Sequence, residues 1–203
     1  MGHAKDEDLG LKDACLQAAR ESIAEHGVER LSLREVARRL GVSHQAPYRH
    51  FPSRDHLLAE VIRQCFQDFA CFLDTRDKQP SPDQDLNCLG TRYLQFAMER
   101  PLEYRLMFGT PWPEPAEEVG LVRDALHAFN ILRSDLQAMH GEGAEVQAQV
   151  DLDAMMIWSS MHGLASILQS SAVRHLDLAP GVPPQVPAYI MARMRSLLTG
   201  TAH

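Results

Sequence analysis

Six arginines fall between Arg30 and Arg54: Arg30, Arg34, Arg38, Arg39, Arg49 and Arg54, with Glu35 the one acid among them. A guanidinium presents a rigid fork of donors and stays charged at any physiological pH, so this density suits phosphate oxygens and guanine edges. The same stretch supplies Ser32, Ser43, His44, Gln45, Tyr48 and His50, side chains that hydrogen-bond to phosphates or base edges. The whole chain is acidic, with a net charge of −7, and from Arg76 onward ten basic residues stand against fifteen acidic ones. A local basic patch can bind nucleic acid while the remaining charge keeps the molecule in solution. A charged bundle surface needs no such cluster around a tight glycine turn.

Other chemistry is not legible. There is no nucleophile elbow, phosphate loop, dinucleotide fingerprint or zinc signature, so neither an enzyme nor a cofactor is expected. The ten histidines show no metal-ligand spacing, and no metal is expected. Cys15, Cys65, Cys71 and Cys88 form no CxxC pair and are expected to be small core residues, not a bridge. No apolar run approaches the roughly 20 residues of a membrane span, and the start does not resemble a signal peptide. A cytoplasmic protein without membrane contact is expected.

The scaffold that positions these groups is all-α, with about nine helices. Leu11, Cys15, Ala19 and Ile23 recur at intervals of four, predicting a helix over 10–26 stopped by Gly27. Ser32 and Glu35 have capping-box spacing, with Leu31 and Val36 placed as a hydrophobic staple, and this second helix ends at Gly41. Ser43 can cap a short third helix through His50. Together the two make a helix-turn-helix, whose third helix has the dimensions to enter a major groove. A fourth helix follows Pro52-Ser53 for about 20 residues, a fifth ends at Pro101, and a sixth runs from Pro101 to Gly109. Val119 to Leu136 marks a seventh, 145–173 an eighth, and Ile190, Met194 and Leu197 a ninth, with a turn at 140–143.

Residues 11–60, about a quarter of the chain, resemble the N-terminal module of the TetR/AcrR family of repressors. The resemblance rests on Leu31-Ser32-Leu33-Arg34-Glu35-Val36-Ala37, on Gly41-Val42-Ser43, on Tyr48-Arg49-His50-Phe51 and on Ser53-Arg54-Asp55-His56-Leu57-Leu58. It implies DNA contact by Ser32, Arg34, Ser43, His44, Gln45, Ala46, Tyr48, Arg49, His50 and Arg54. By it, Tyr48 looks like a phosphate-contacting tyrosine, and Arg54 replaces the family's usual lysine. Pro47 departs from the pattern, standing where leucine is common; it removes a backbone donor early in the helix. Trp158-Ser159-Ser160-Met161-His162-Gly163 resembles the W-x3-H-G signature of one subgroup's C-terminal domain.

The division expected is a DNA-binding head over 9–55 and a body over 56–203 for dimerisation and effector binding. Leu152, Met156, Ser159, Gly163, Ser166 and Ile167, with Ile190 and Met194, are the expected homodimer surface. Met98, Tyr104, Met107, Phe108, Trp112, Phe129, Met155, Trp158 and His162 supply the bulky surface expected of a small-molecule pocket. His162 beside a glycine on a packed helix also fits a hydrogen-bonded structural histidine. The partners implied are a double-stranded DNA operator, a second copy of the chain, and a small, largely apolar effector.

Overall fold

A computed structural model describes residues 3–141, 143–171 and 175–198, with side chains from Gly10 onward. Among them are eight α-helices: α1 His3–His26, α2 Leu33–Leu40, α3 Arg54–Asp74, α4 Pro82–Glu99, α5 Pro101–Phe108, α6 Leu121–His140, α7 Ala144–Gln169 and α8 Val186–Leu198. The count is eight and not nine because the expected third helix is not α-helical; only Pro47–Arg49 is regular, as a 3-10 turn. Pro47 has no amide to offer the Ser43 carbonyl, and a proline ring crowds the carbonyl four residues back. The amides of Tyr48, Arg49 and His50 instead donate three residues back, to Gln45, Ala46 and Pro47, at 3.2, 3.2 and 3.0 Å.

Smaller shifts have local causes. Gly120, at φ 78°, turns the chain just before α6, so Val119 lies in the turn and not in the helix. Helix α1 begins seven residues earlier than the apolar spacing marks. Helix α7 ends where Ser170 becomes extended. Glu142 of the expected turn, and residues 172–173 of the expected eighth helix, lie outside the described residues.

The chain divides into two compact units, Met1–Asp68 with Leu102–Leu126, and Phe69–Pro101 with His127–His203. The first has Cys15, Ala19, Ile23, Val36, Leu57 and Ile62 fully buried. Against this apolar core sits Glu60, joined to Lys12 of α1 at 2.7 Å and to Arg63 at 2.7 Å, while Arg63 also reaches Asp124 of α6 at 3.1 Å. Burial alone would push the Glu60 carboxyl up, but the hydrogen bonds from Arg63 and Lys12 outweigh it and hold the pKa below the usual value. Phe66 meets Phe108 and Trp112 edge-on, both at 5.6 Å, and the Trp112 indole donates to the Met107 carbonyl at 3.1 Å.

In the second unit the rings of Phe69 and Phe72 pack edge-on against Phe96 at 4.9 and 5.6 Å. Where α4 approaches α8, an added Cβ at Gly90 would meet the Met191 thioether, and that flexible end would have to shift. The Arg76 side chain is wholly buried and donates to the Leu73 carbonyl at 3.1 Å, to Asp85 at 3.0 Å and to Asp135. Lys78 closes the cluster at 2.9 Å from Asp85 and 3.2 Å from Asp135. Removing one partner of such a buried set strands the others and costs about 3–5 kcal/mol. The cluster therefore fixes the end of α3, the start of α4 and the second half of α6 together. Cys15 and Cys65 are core residues as expected, and burial pushes the Cys65 thiol up to about 12; Cys71, however, is exposed and Cys88 half-buried. No described helix is long and apolar enough to cross a membrane.

Candidate nucleic-acid interface

The head is built around α2. The Ser32 hydroxyl accepts the Glu35 amide at 3.2 Å, and Leu31 and Val36 are both buried, so cap and staple form as their spacing implies. Gly41 ends the helix in the left-handed region, at φ 67° and ψ 23°, letting the Val42 amide reach Ala37 at 3.1 Å and its own amide reach Arg38 at 3.3 Å. This paired arrangement satisfies carbonyls the helix would otherwise leave open. The reciprocal half of the capping box differs. Glu35 turns its carboxylate outward to Arg38, at 2.7 and 2.8 Å, and to Arg39 at 3.0 Å. Arg39 in turn holds Glu25 of α1.

Beyond the glycine turn, Pro47 and Phe51 are buried and anchor the segment, and the Phe51 amide donates to the Pro47 carbonyl at 3.0 Å. Arg34, Ser43, His44, Gln45, Tyr48 and Arg49 are exposed; Ser32, Ala46, His50 and Arg54 are half-buried. The arginines divide into two sets. Arg38, Arg39 and Arg54 bind carboxylates or carbonyls of the protein itself. Arg30, Arg34 and Arg49 have no such partner among the described residues, so their donors point to solvent. Arg30 was not singled out by the sequence; its exposure in the turn Val28–Arg30 before α2 places it with Arg34 and Arg49.

The expected pocket residues fall in both units. Tyr104, Met107, Phe108 and Trp112 belong to the first unit, where the first two are buried, whereas Met98, Phe129, Met155, Trp158 and His162 belong to the second. There, Trp158 meets Phe129 at 5.9 Å and His162 at 6.1 Å, and burial holds the His162 pKa below its usual value. Met155 stands on the exposed stripe of α7 with Leu152, Ser159, Ser166 and Ile167; Met156 and Gly163 flank it half-buried. On α8, Ile190 is half-buried and Met194 is buried within its own unit. A groove of about 640 Å³ lies between α4, the end of α7 and α8. Leu94, Met98, Leu168, Met191 and Ala192 form its apolar walls, with Asn87 and Arg195 as polar members. Of the expected pocket residues it takes only Met98.

Residues 16–61 match the family described as bacterial regulatory proteins, tetR family, and residues 86–182 match the tetracyclin repressor-like C-terminal domain. The chain belongs to the TetR family. Among curated relatives, the HTH-type transcriptional regulator Rv1816 of Mycobacterium tuberculosis is 26% identical over 136 residues. That match spans 64% of this chain and 58% of the relative's length. A solved protein of unknown function from Rhodococcus sp. RHA1 is 26% identical, with a TM-score of 0.71 over 94% of both chains. The regulator FadR of Bacillus subtilis, solved with stearoyl-CoA, shares the fold at 14% identity, with a TM-score of 0.66 over 94% of this chain and 98% of its own. The mycobacterial relatives are named as transcriptional regulators.

In this TetR-family head the hydrogen bond from Arg38 does most, with that from Arg39, to lower the Glu35 carboxyl from 4.5 to about 2. A lowered folded-state pKa contributes stability above the ordinary carboxylate range and loses it as pH falls toward the folded value. Glu35→Gln is therefore expected to lower the melting temperature near neutral pH. The gap to the parent should close between about pH 4.5 and pH 2, as thermal melts across that range would show. A gap independent of pH would mean that the charge of Glu35 does not support the head.

Proposed function

We propose that the protein is a transcriptional repressor that binds a palindromic operator as a homodimer and is released by a small, largely apolar effector. The observation that carries this function is the head. A capped helix and a prolyl 3-10 turn hold Arg34, Gln45, Tyr48 and Arg49 exposed, with the two exposed arginines unpaired among the described residues. Arg34 and Gln45 are assigned to base edges, and Tyr48, Arg49 and Arg30 to phosphates. DNA contact is assigned to 9–55 and effector and dimer contacts to 56–203, in the cytoplasm where the DNA is. The spacing of Trp158, His162 and Gly163 supports the W-x3-H-G subgroup.

The second copy is assigned to the α7 stripe of Leu152, Met155, Ser159, Ser166 and Ile167, continued by exposed Tyr189 and Leu197 on α8. Leu152 is 66% exposed, Tyr189 64% and Leu197 64%, and a stripe this apolar calls for a cover. A two-fold pair also meets the geometry of two half-sites about one DNA turn apart.

The effector is assigned to the α4–α7–α8 groove, whose volume lies within the ordinary range of small-molecule sites. Its apolar walls suit a hydrocarbon body and Arg195 with Asn87 a polar end. The stearoyl-CoA held by the structurally similar FadR supports an acyl chain as the body.

Three outcomes are expected. Selection from random duplexes by the full chain should enrich a palindrome. On that duplex Arg34→Ala should lose about 1–3 kcal/mol of selectivity over scrambled DNA, while Arg49→Ala weakens both alike and flattens the salt dependence. No enrichment would sink the DNA-binding function. For the dimer, an added Cβ at Gly163 meets nothing within 4 Å in the protomer, so Gly163→Leu should act mainly on the partner. Sedimentation at micromolar concentration should show monomer, and a stable dimer would move the interface elsewhere. For the effector, a thermal-shift screen of straight-chain carboxylic acids should find stabilisation that Ala192→Trp abolishes. A stabilising acid that is indifferent to Ala192→Trp would place the site outside the groove.

A further inference from the structure

We propose that Arg54 is a positioning residue that sets the spacing between α2 and the recognition turn, and is not a phosphate contact. This rests on the DNA-binding function above. All three guanidinium nitrogens are engaged within the protein. Nε donates to the Leu31 carbonyl at 3.2 Å, Nη2 to the Val28 carbonyl at 2.7 Å, and Nη1 to the Asp55 carboxylate at 2.9 Å. The two carbonyls belong to the short connection between α1 and α2, which begins at Gly27 in a φ of 85° and ends at Leu31, immediately before the Ser32 cap. Whatever fixes that connection fixes the first turn of α2, and with it Arg34.

Arg54 is also the first residue of α3, two residues after the chain leaves buried Phe51 and the Pro47–Arg49 turn. The start of α3 is itself held, because the Ser53 hydroxyl accepts the His56 amide at 3.3 Å. One side chain therefore spans from the exit of the recognition turn to the entrance of α2. The assigned base contacts, Arg34 and Gln45, stand on α2 and on the segment leading into that turn, where the Gln45 carbonyl accepts the Tyr48 amide. Only a planar fork fits two carbonyls and a carboxylate at once; a lysine ammonium concentrates its donors at one nitrogen.

The alternatives separate cleanly in the full chain. Without DNA, Arg54→Lys is expected to speed amide exchange at Glu35 and Val36, which donate to the Ser32 hydroxyl and carbonyl, at least tenfold while leaving the α1 core amides unchanged. With the selected duplex, Arg54→Lys and Arg54→Gln should each lose about tenfold in selectivity over scrambled DNA, the size of one lost base contact. The slope of log affinity against log salt should stay at the parent value for Arg54→Gln. A phosphate contact gives the opposite: unchanged exchange, parental affinity in Arg54→Lys, and a slope shallower by about 0.9 in Arg54→Gln with equal losses on both duplexes. That result would overturn the proposal. So would global unfolding of both variants, which would make Arg54 a general stabiliser and not a local one. If the parent protein binds no duplex, the DNA-binding function fails, while the exchange experiment still decides whether Arg54 orders α2.

Discussion

Guanidinium forks fix this fold wherever helices must keep a register and not merely touch. Arg39 ties α2 to Glu25 of α1, Arg54 ties α3 to the chain before α2, and Arg63 ties α3 to Asp124 of α6. In the second unit Arg76 joins α3 to Asp85 and Asp135, Arg92 of α4 donates to the Phe72 carbonyl at 2.7 Å, and Arg133 holds Asp151 of α7 at 2.7 Å. Apolar burial is non-directional, so a stripe such as Leu58, Ile62, Cys65 and Phe69 resists separation more than sliding. A fork with two or three oxygens at set distances resists both. The desolvation penalty is large, and it is offset by multiple acceptors, as around the wholly buried Arg76, whose two Nη groups reach three oxygens while its Nε has no partner among the described residues.

The same economy governs the head. Six arginines in 25 residues suggest six contacts for DNA, yet Glu35, Glu25 and the carbonyls of Val28 and Leu31 engage three of them. Arg30, Arg34 and Arg49 are left pointing outward. A basic run thus overstates the charge offered to a phosphate backbone, because the structure that presents some arginines is made from the others.

How far the sequence foretold this depends on the range of each interaction. Ser32, Leu31, Val36 and Gly41 act within a few residues, so cap, staple and helix end could be derived from spacing alone. The outward turn of Glu35 is equally local, made by Arg38 and Arg39 three and four residues on, whereas the link from Arg39 to Glu25 spans fourteen residues and no local pattern carries it. Pro47 signalled a missing donor; that the segment would settle into 3-10 hydrogen bonds depended on buried Phe51 beneath it. The bulky residues of the body were legible only as helix faces for the same reason. Periodicity gives the face on which Tyr104 or Trp158 stands but not the neighbour that covers it, and the four from 104 to 112 pack in a different unit from the rest. Gly163 shows the converse: its spacing announced a close approach, and among the described residues an added Cβ there would meet nothing within 4 Å.

The prolyl turn has a consequence for how specificity is distributed. A proline fixes its own φ and lowers the entropy lost on ordering the segment, so Pro47 pre-arranges Tyr48 and Arg49. A full α-helix would present a longer face to a groove; a three-residue 3-10 turn presents a shorter one. In the proposed DNA complex, discrimination draws more heavily on the first turn of α2, where Arg34 stands exposed beside the Ser32 cap. The rigidity of that turn accordingly matters more here than in a head with a long recognition helix. The cap, the staple and the Arg54 fork all converge on it.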